Sequence, residues 1–456
     1  MQIIDSNLTL NRAKKTLSLK VLALGAGALI CLPLLGAQTA SAASGGLDAT
    51  FGRNGKVKTD FNGNNDLAYG MALQADGKVI VAGISFAGND ASGGDFAVAR
   101  YNANGMLDTS FGVGGKVTTD MGQTENASSV VVQPDGKIIV GGGTYPIFPS
   151  SGGQFALVRY NSNGSLDTSF GDDGIVQTTF STSGCYASAL ALQTDGKIVA
   201  AGTNYRDFSS NSDFGLVRYN SNGTLDTSFG TNGLVSTEFD GMLDAASSVL
   251  IQSDGKIVAV GSASSSATFY DFAVVRYLAN GQIDTSFGTA GKVRTDFGGA
   301  NLDIAYAGAL QADGKIIAAG VTTDRSGSKT PFALARYNSN GTLDTSFSSD
   351  GRTSVDFGGY FQAVYQVLVQ PDGKIVAAGY PNSEGSDSDF LLTRLNSNGS
   401  IDTTFGAAGK VRTSFGDLNG GANAAVLQPD GKIVAAGFQA TSTQKATEIV
   451  MARYLP

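Results

Sequence analysis

The chain has 456 residues, 62 of them Gly and only 9 Pro, with no His, no Trp and a formal charge of -8 at pH 7. The missing histidine excludes Ser-His-Asp, Cys-His and His-ligated zinc chemistry, and the acidic balance argues against nucleic acid and anionic membranes as partners. The abundant Gly, Ser, Thr, Asn and Asp between short Val, Ile, Ala and Leu runs predict many short strands joined by turns.

In chain order the first element is a leader. Arg12, Lys14, Lys15 and Lys20 precede an apolar run from Val21 to Ala37, and the small residues Ala40-Ser41-Ala42 follow. This pattern predicts a secretory signal peptide over 1–42, cleaved after Ala42, with a secreted mature chain over 43–456 that has no membrane insertion. Cys185 is then the one cysteine left, so no internal disulfide is expected. It reads as a buried passenger.

From Asp76 on, one unit repeats. Asp-Gly-Lys begins at Asp76, Asp135, Asp195, Asp254, Asp313, Asp372 and Asp430, at spacings of 58 to 60 residues. A self-similar period of this length has to be read as a repeat architecture before any local motif is weighed. Within 127–177, ASSVVVQPDG enters a turn and KIIVGGG leaves it, predicting strands a and b of a hairpin. QFALVRY predicts strand c, the connector NSNGSLDTSFG follows, and GIVQTTF predicts strand d. Four antiparallel strands make one propeller blade, so seven copies predict an all-β, seven-bladed β-propeller. ASGGLDATFGRNGKVKTDF near residue 43 supplies half a connector and a strand d, while EIVMARYLP supplies a strand c at the other end. The strand over 56–61 is therefore expected to complete the last blade and close the ring.

The combination LDTSFG, GKV-x-TDF, LQ-x-DGKIVAAG and DFALARYN-x-NG resembles the bacterial delta-60 repeat family, whose members are β-propellers mostly of unassigned function. The resemblance implies the fold and a secreted setting and brings no catalytic residues. Departures from the repeat are Met121, Gln154, Pro331, Ser348, Leu395 and Ile449.

The connector could in principle hold calcium through Asn161, Asn163 and Asp167, but Arg159 stands where the first acidic ligand should be, and an Arg recurs there in all seven copies. The connector is instead expected to be a joint, with Leu166 and Phe170 plugging the gap between blades and Asp167 capping amides or pairing with Arg. No metal and no cofactor are expected. The near-identical a–b and c–d links share one face of the propeller, and the links that change from copy to copy share the other, the expected binding face. Candidate ligand-binding residues there are Tyr69, Tyr145, Phe148, Tyr205, Tyr270, Tyr306, Tyr365 and Tyr380. Tyr69, Tyr306 and Tyr365 occupy one repeat position, five before the Gln of strand a, where they would crowd the channel mouth. Aromatic rings among hydroxyls and amides suit a glycan or an extracellular protein. The leading expectation is thus a monomeric, non-enzymatic binding module. Alternatives are a scaffold without a discrete ligand and a polysaccharide hydrolase or lyase using carboxylate or Tyr.

Overall fold

The computed structural model describes residues 43–456 except 62, 64, 87–92, 146–151, 181–182, 208–210, 241, 266–268, 299–301, 324–329, 360, 382–388, 417–418 and 442–445. The expected leader over 1–42 and the candidate Phe148 lie outside the described residues. Among the described residues no helix is long and apolar enough to cross a membrane.

Twenty-eight strands form seven four-stranded antiparallel sheets. After β1 (Lys56–Thr59), blade one is β2 (Asp66–Leu73), β3 (Val79–Phe86), β4 (Gly94–Tyr101) and β5 (Lys116–Thr119). Blade two is β6 (Thr124–Val132), β7 (Ile138–Tyr145), β8 (Gln154–Tyr160) and β9 (Ile175–Thr178). Blade three is β10 (Cys185–Leu192), β11 (Ile198–Tyr205), β12 (Ser212–Tyr219) and β13 (Leu234–Thr237). Blade four is β14 (Asp244–Ile251), β15 (Ile257–Ala263), β16 (Asp271–Tyr277) and β17 (Lys292–Thr295). Blade five is β18 (Asp303–Leu310), β19 (Ile316–Thr322), β20 (Phe332–Tyr337) and β21 (Arg352–Val355). Blade six is β22 (Gln362–Val369), β23 (Ile375–Pro381), β24 (Phe390–Leu395) and β25 (Lys410–Thr413). Blade seven is β26 (Gly420–Leu427), β27 (Ile433–Ala440) and β28 (Thr447–Tyr454), completed by β1. Lys56 to Thr59 pair with Ala452 to Ile449. The innermost strands β2, β6, β10, β14, β18, β22 and β26 each pack beside the next, and β26 returns to β2. The ring is closed.

Strands b and c are buried on both faces because each sheet is sandwiched between two neighbours, which is why KIVAAG and FALARY read as near-continuous apolar runs. Strand d is shorter than its sequence suggests. Pairing stops at Thr59 and its equivalents, since Phe61 leaves the strand and turns into the core while exposed Asp60 caps the Gly63 amide.

At the joint, the connector 219–230 shows the pattern. Arg218 Nε donates to Asp226 Oδ2 at 2.8 Å, and the guanidinium sits 4.5 Å from the ring centroid of buried Phe229. Its Nη1 donates to the Ala279 carbonyl of the next connector. Asp226 Oδ1 accepts the Ser228 amide and hydroxyl, and Lys197 of the Asp-Gly-Lys turn lies 3.3 Å from Oδ2. The Gly230 amide donates to Asn280 of the next connector at 2.9 Å, and the same contact recurs in every joint, ending with Gly406 to Ser44. Gly223 has φ +88°, and a Cβ there would meet the neighbouring Gly171 amide at 2.9 Å. An Arg–Asp pair occurs in all seven copies, the seventh formed across the chain ends by Arg453 and Asp48 at 2.9 Å. The aspartate oxygens are committed to the joint. One expectation needs correction: Leu166 stays 36% exposed, although its counterparts Leu107, Ile283 and Leu343 pack partly buried against the core, and the turn lysines add a second cation to the Arg–Asp pair.

A second inter-blade bond runs from the last Tyr of strand c to the last Thr of the previous blade's strand d, as in Tyr101 to Thr59 and Tyr277 to Thr237. The departure at Leu395 falls here and is matched, since its partner position holds Val355 and both are buried in one apolar cluster. Removing both polar partners together leaves nothing unsatisfied. Met121 and Ile449 likewise each replace one member of a Phe pair whose other member, Phe96 or Phe61, remains. Ser348 keeps the connector bond to Asn398 while taking the glycine's positive φ of 58°.

Deleting residues 43–61 removes β1 and half of the seventh joint, exposing the edge of β28. This truncation is expected to lower the melting temperature sharply and to form soluble aggregates, read by thermal scanning and size exclusion; an unchanged melting temperature in a monomeric product would refute the closure.

Candidate functional site

The innermost strands share one irregularity. Register shifts on β2, β6, β10, β14, β18, β22 and β26 leave one residue of each outside the pairing: Tyr69, Ser128, Ser188, Ser247, Tyr306, Tyr365 and Asn423. This is the position five before the repeated Gln. A bulge turns an extra side chain away from the ladder, and all seven of these line one central cavity of about 650 Å³. The bulge also explains the Gly of KIVAAG. A Cβ on Gly83 would meet the Leu67 carbonyl oxygen at 1.8 Å, and on Gly261 that of Ala245 at 1.9 Å, with the same clash in every blade.

The cavity wall is uneven. Tyr306 stacks on Tyr365 with ring centroids 4.9 Å apart, Tyr365 stacks on Tyr380 at 4.9 Å, and Phe438 meets Tyr380 edge-on at 5.8 Å. Gly421 makes room for this stack, since a Cβ there would meet the Tyr380 ring at 2.3 Å. Across the ring lie Ser128, Ser188 and Ser247, beside Ser129 and Ser248. Tyr186 sits 6.3 Å from Tyr145 and 6.1 Å from Tyr205, extending the aromatic surface on that side. Among the described residues the lining carries no Asp, Glu, Lys or Arg.

Burial sets the phenol chemistry. It raises the phenols of Tyr69, Tyr145, Tyr365 and Tyr380, and pushes those of Tyr205 and Tyr306 up to about 12; neighbouring phenols reinforce the shift for all of them except Tyr380, whose bond to Tyr365 opposes it. All of them are neutral hydrogen-bond donors at physiological pH. The described candidates fall into two contact groups, Tyr306, Tyr365 and Tyr380 on one side and Tyr145 and Tyr205, joined through Tyr186, on the other.

Their placement differs from the expectation of variable links. Tyr69, Tyr306 and Tyr365 are bulge residues of innermost strands, Tyr145, Tyr205 and Tyr380 lie on second strands, and only Tyr270 sits in a link, just before β16. The bulge brings Tyr69, Tyr306 and Tyr365 to the cavity, which Tyr380 also lines, whereas Tyr145, Tyr205 and Tyr270 lie outside its lining. Tyr186 and Phe438 were missed. Tyr186 precedes its bulge by two positions and lines the cavity. Cys185, beside it, is buried, its thiol raised by burial and directed at the Thr178 carbonyl.

A notch of about 730 Å³ on the opposite face is lined by Gln311, Asp313, Lys315, Arg336, Ser397 and Asn398. The corresponding residues form the same notch around Arg100 and around Arg453. It is the joint seen from outside, a repeated structural feature rather than a distinct site.

Buried carboxyls at the start of the innermost strands were not foreseen. Burial raises Asp66, Asp244 and Asp303 to about 6 and Glu125 to about 7, although each accepts a backbone amide. The joint aspartates shift the other way. Burial opposes ionisation there, but the Ser amide and hydroxyl and the Arg and Lys charges hold Asp226 and Asp344 at about 2. A carboxyl with a raised folded pKa binds protons in the folded state through the interval above its unfolded value near 4, so stability falls as pH rises to about 6–7. A depressed one contributes stability that is lost as pH falls from about 4 through its folded value. Stability in chelator-containing buffer is therefore predicted to peak around pH 4–5; urea melts at pH 3, 4.5 and 7.5 giving a higher stability at 7.5 than at 4.5 would contradict it.

Six segments of the chain, 74–111, 133–170, 193–229, 252–287, 311–347 and 370–405, match the family described as domain of unknown function (DUF5122) beta-propeller. Each runs from the Gln before a turn to the Phe of the joint, so the match covers the second and third strands and the connector and leaves out the innermost strand with its bulge. No curated protein matches the chain. Among solved structures, an ulvan lyase of a polysaccharide lyase family is 13% identical with a TM-score of 0.50, covering 87% of this chain and 95% of its own. A catalytically inactive virginiamycin B lyase from Staphylococcus aureus is 10% identical, TM-score 0.47, covering 88% and 99%. The propeller domain of the Trilobed protease from Pyrococcus furiosus is 12% identical, TM-score 0.42, covering 86% and 94%. At these identities the likeness is one of fold.

Proposed function

The chain is a β-propeller repeat protein, and we propose that it is a secreted, non-enzymatic, monomeric module that binds a neutral glycan at the mouth of its central channel. The carrying observation is the division of an uncharged cavity of about 650 Å³ into a stacked wall of Tyr306, Tyr365 and Tyr380 and a facing wall of serine hydroxyls. A pyranose presents an apolar CH face and a rim of hydroxyls, and these two walls match both. A charged saccharide would meet no compensating charge in the lining. An acid–base mechanism lacks its carboxylates here, and phenols raised by burial are poor bases, which favours binding over lyase chemistry. The leader-like residues 1–42 support secretion, and the negative charge disfavours nucleic acid.

A glycan array probed with the mature protein tests the reading, and hits are expected among neutral rather than sulfated or uronic acid chains. With a hit in hand, Tyr186→Ala and Tyr306→Ala should each weaken binding about tenfold while far-UV circular dichroism is unchanged, because a lost stacking ring is worth on the order of 1.4 kcal/mol. A combined Ala variant of Lys137 and Lys315 on the other face should bind normally. Loss of binding in the lysine variant alone would move the functional face to the joints.

A further inference from the structure

The junctions between blades carry acids on the channel-mouth face, and their charge balance differs from one gap to the next. Five third strands begin with a carboxylate there. Four meet a base: Glu448 is 3.9 Å from Lys58, Asp213 3.1 Å from Arg206, Asp271 3.3 Å from Arg294 and Asp389 3.8 Å from Arg412. The fifth, Asp95 on β4, has no ion pair among the described residues. The fourth-strand position that carries Lys58, Arg294 and Arg412 elsewhere is Thr118 in this blade. The sequence has no Lys or Arg over 84–95 or 119–131.

The gap nonetheless concentrates acid. One oxygen from each of Asp95, Asp120 and Glu125 lies within 4.8 Å of the others. Glu125, the most buried of the three at 0% exposed, accepts the Gln123 amide at Oε1 at 2.7 Å, and its buried Oε2 has no hydrogen-bond partner among the described residues. An unpartnered carboxylate oxygen out of water is costly unless something positive satisfies it. We propose that Asp95, Asp120 and Glu125 hold a calcium ion that bridges blade one to blade two at the rim of the channel mouth. Bonds of about 2.3–2.6 Å to one calcium place any two of its ligands no more than about 5 Å apart, which this triad meets. The donor set is oxygen only, so zinc and copper are not favoured. Asp120 is exposed and Asp95 half-buried, and movable carboxylates with access to water suit the tolerant coordination of calcium better than the strict octahedron of magnesium. The related cluster Asp271, Asp296 and Asp303 already contains a cation, the Arg294 guanidinium, and needs no ion.

The site is separate from the connector, where no metal was expected, and from the uncharged glycan cavity. Mature protein stripped with chelator and dialysed is titrated with calcium chloride by calorimetry, and its thermal transition is recorded in calcium, in magnesium and in chelator. One saturable site per chain and a rise of several degrees in calcium, smaller in magnesium, are expected. Glu125→Gln and the surface variant Asp120→Asn should each weaken the titration at least tenfold and abolish the thermal shift, while Asp296→Asn behaves as wild type. Wild-type protein with no saturable heat and no shift overturns the proposal. So does loss of binding in Asp296→Asn with Glu125→Gln unaffected, which would place the ion in the other gap.

Discussion

The seven-bladed ring depends on the arginine at the end of each third strand. Its guanidinium is removed from water against a phenylalanine face and paired with the connector aspartate, and six of the seven also bond a carbonyl of the following blade. A buried charge of this kind is tolerable only with every partner in place. Folding of one blade's connector is thereby tied to the presence of the next, and the constraint propagates around the ring until Arg453 meets Asp48 and joins the two ends of the described chain. The repeated letters of the connector follow from this. Asp must accept both Arg and the Ser amide, the glycines must approach a neighbouring backbone, and Phe must fill the gap under the guanidinium.

A rigid outer joint leaves the inner strand free to vary. The bulge in each innermost strand is a backbone feature, secured by the glycine of the second strand that makes room for the displaced carbonyl. Its side chain is unconstrained by pairing and projects into the channel, so Tyr, Ser and Asn exchange there without cost to the ladder. The family match reflects the same division, covering the joint and the second and third strands and ending short of the bulge. Repetition marks what holds the ring together, and divergence among the copies marks what faces the cavity.

Opposite electrostatics separate the two faces. At the joint face, aspartates are held ionised by fixed cations and amides; at the mouth face, burial makes the carboxyls harder to ionise. Compensation among the departures follows the same local rule. Leu395 with Val355 removes a hydroxyl pair as a unit, and Arg206 serves Asp213 where the fourth strand offers only Ser236.

Much of this was legible in the sequence because it is periodic. The 59-residue spacing, the Asp-Gly-Lys turns and the divided connector determined four-stranded blades, their number and the closing strand, since turn chemistry and apolar runs act locally and the same local answer returns seven times. The Tyr69, Tyr306 and Tyr365 position was visible as one repeat site that differs between copies. What only the tertiary structure decided is non-local. That Tyr380 on a second strand stacks on Tyr365, and that Tyr186 lines the cavity between Tyr145 and Tyr205, depends on which strands are laid side by side. The acids of the blade gaps, spread over two blades, look like ordinary surface carboxylates in the linear text; Asp95, Asp120 and Glu125 become a cluster only when β4, β5 and β6 are laid side by side, because pairing and burial, not spacing along the chain, set which charges must be satisfied together.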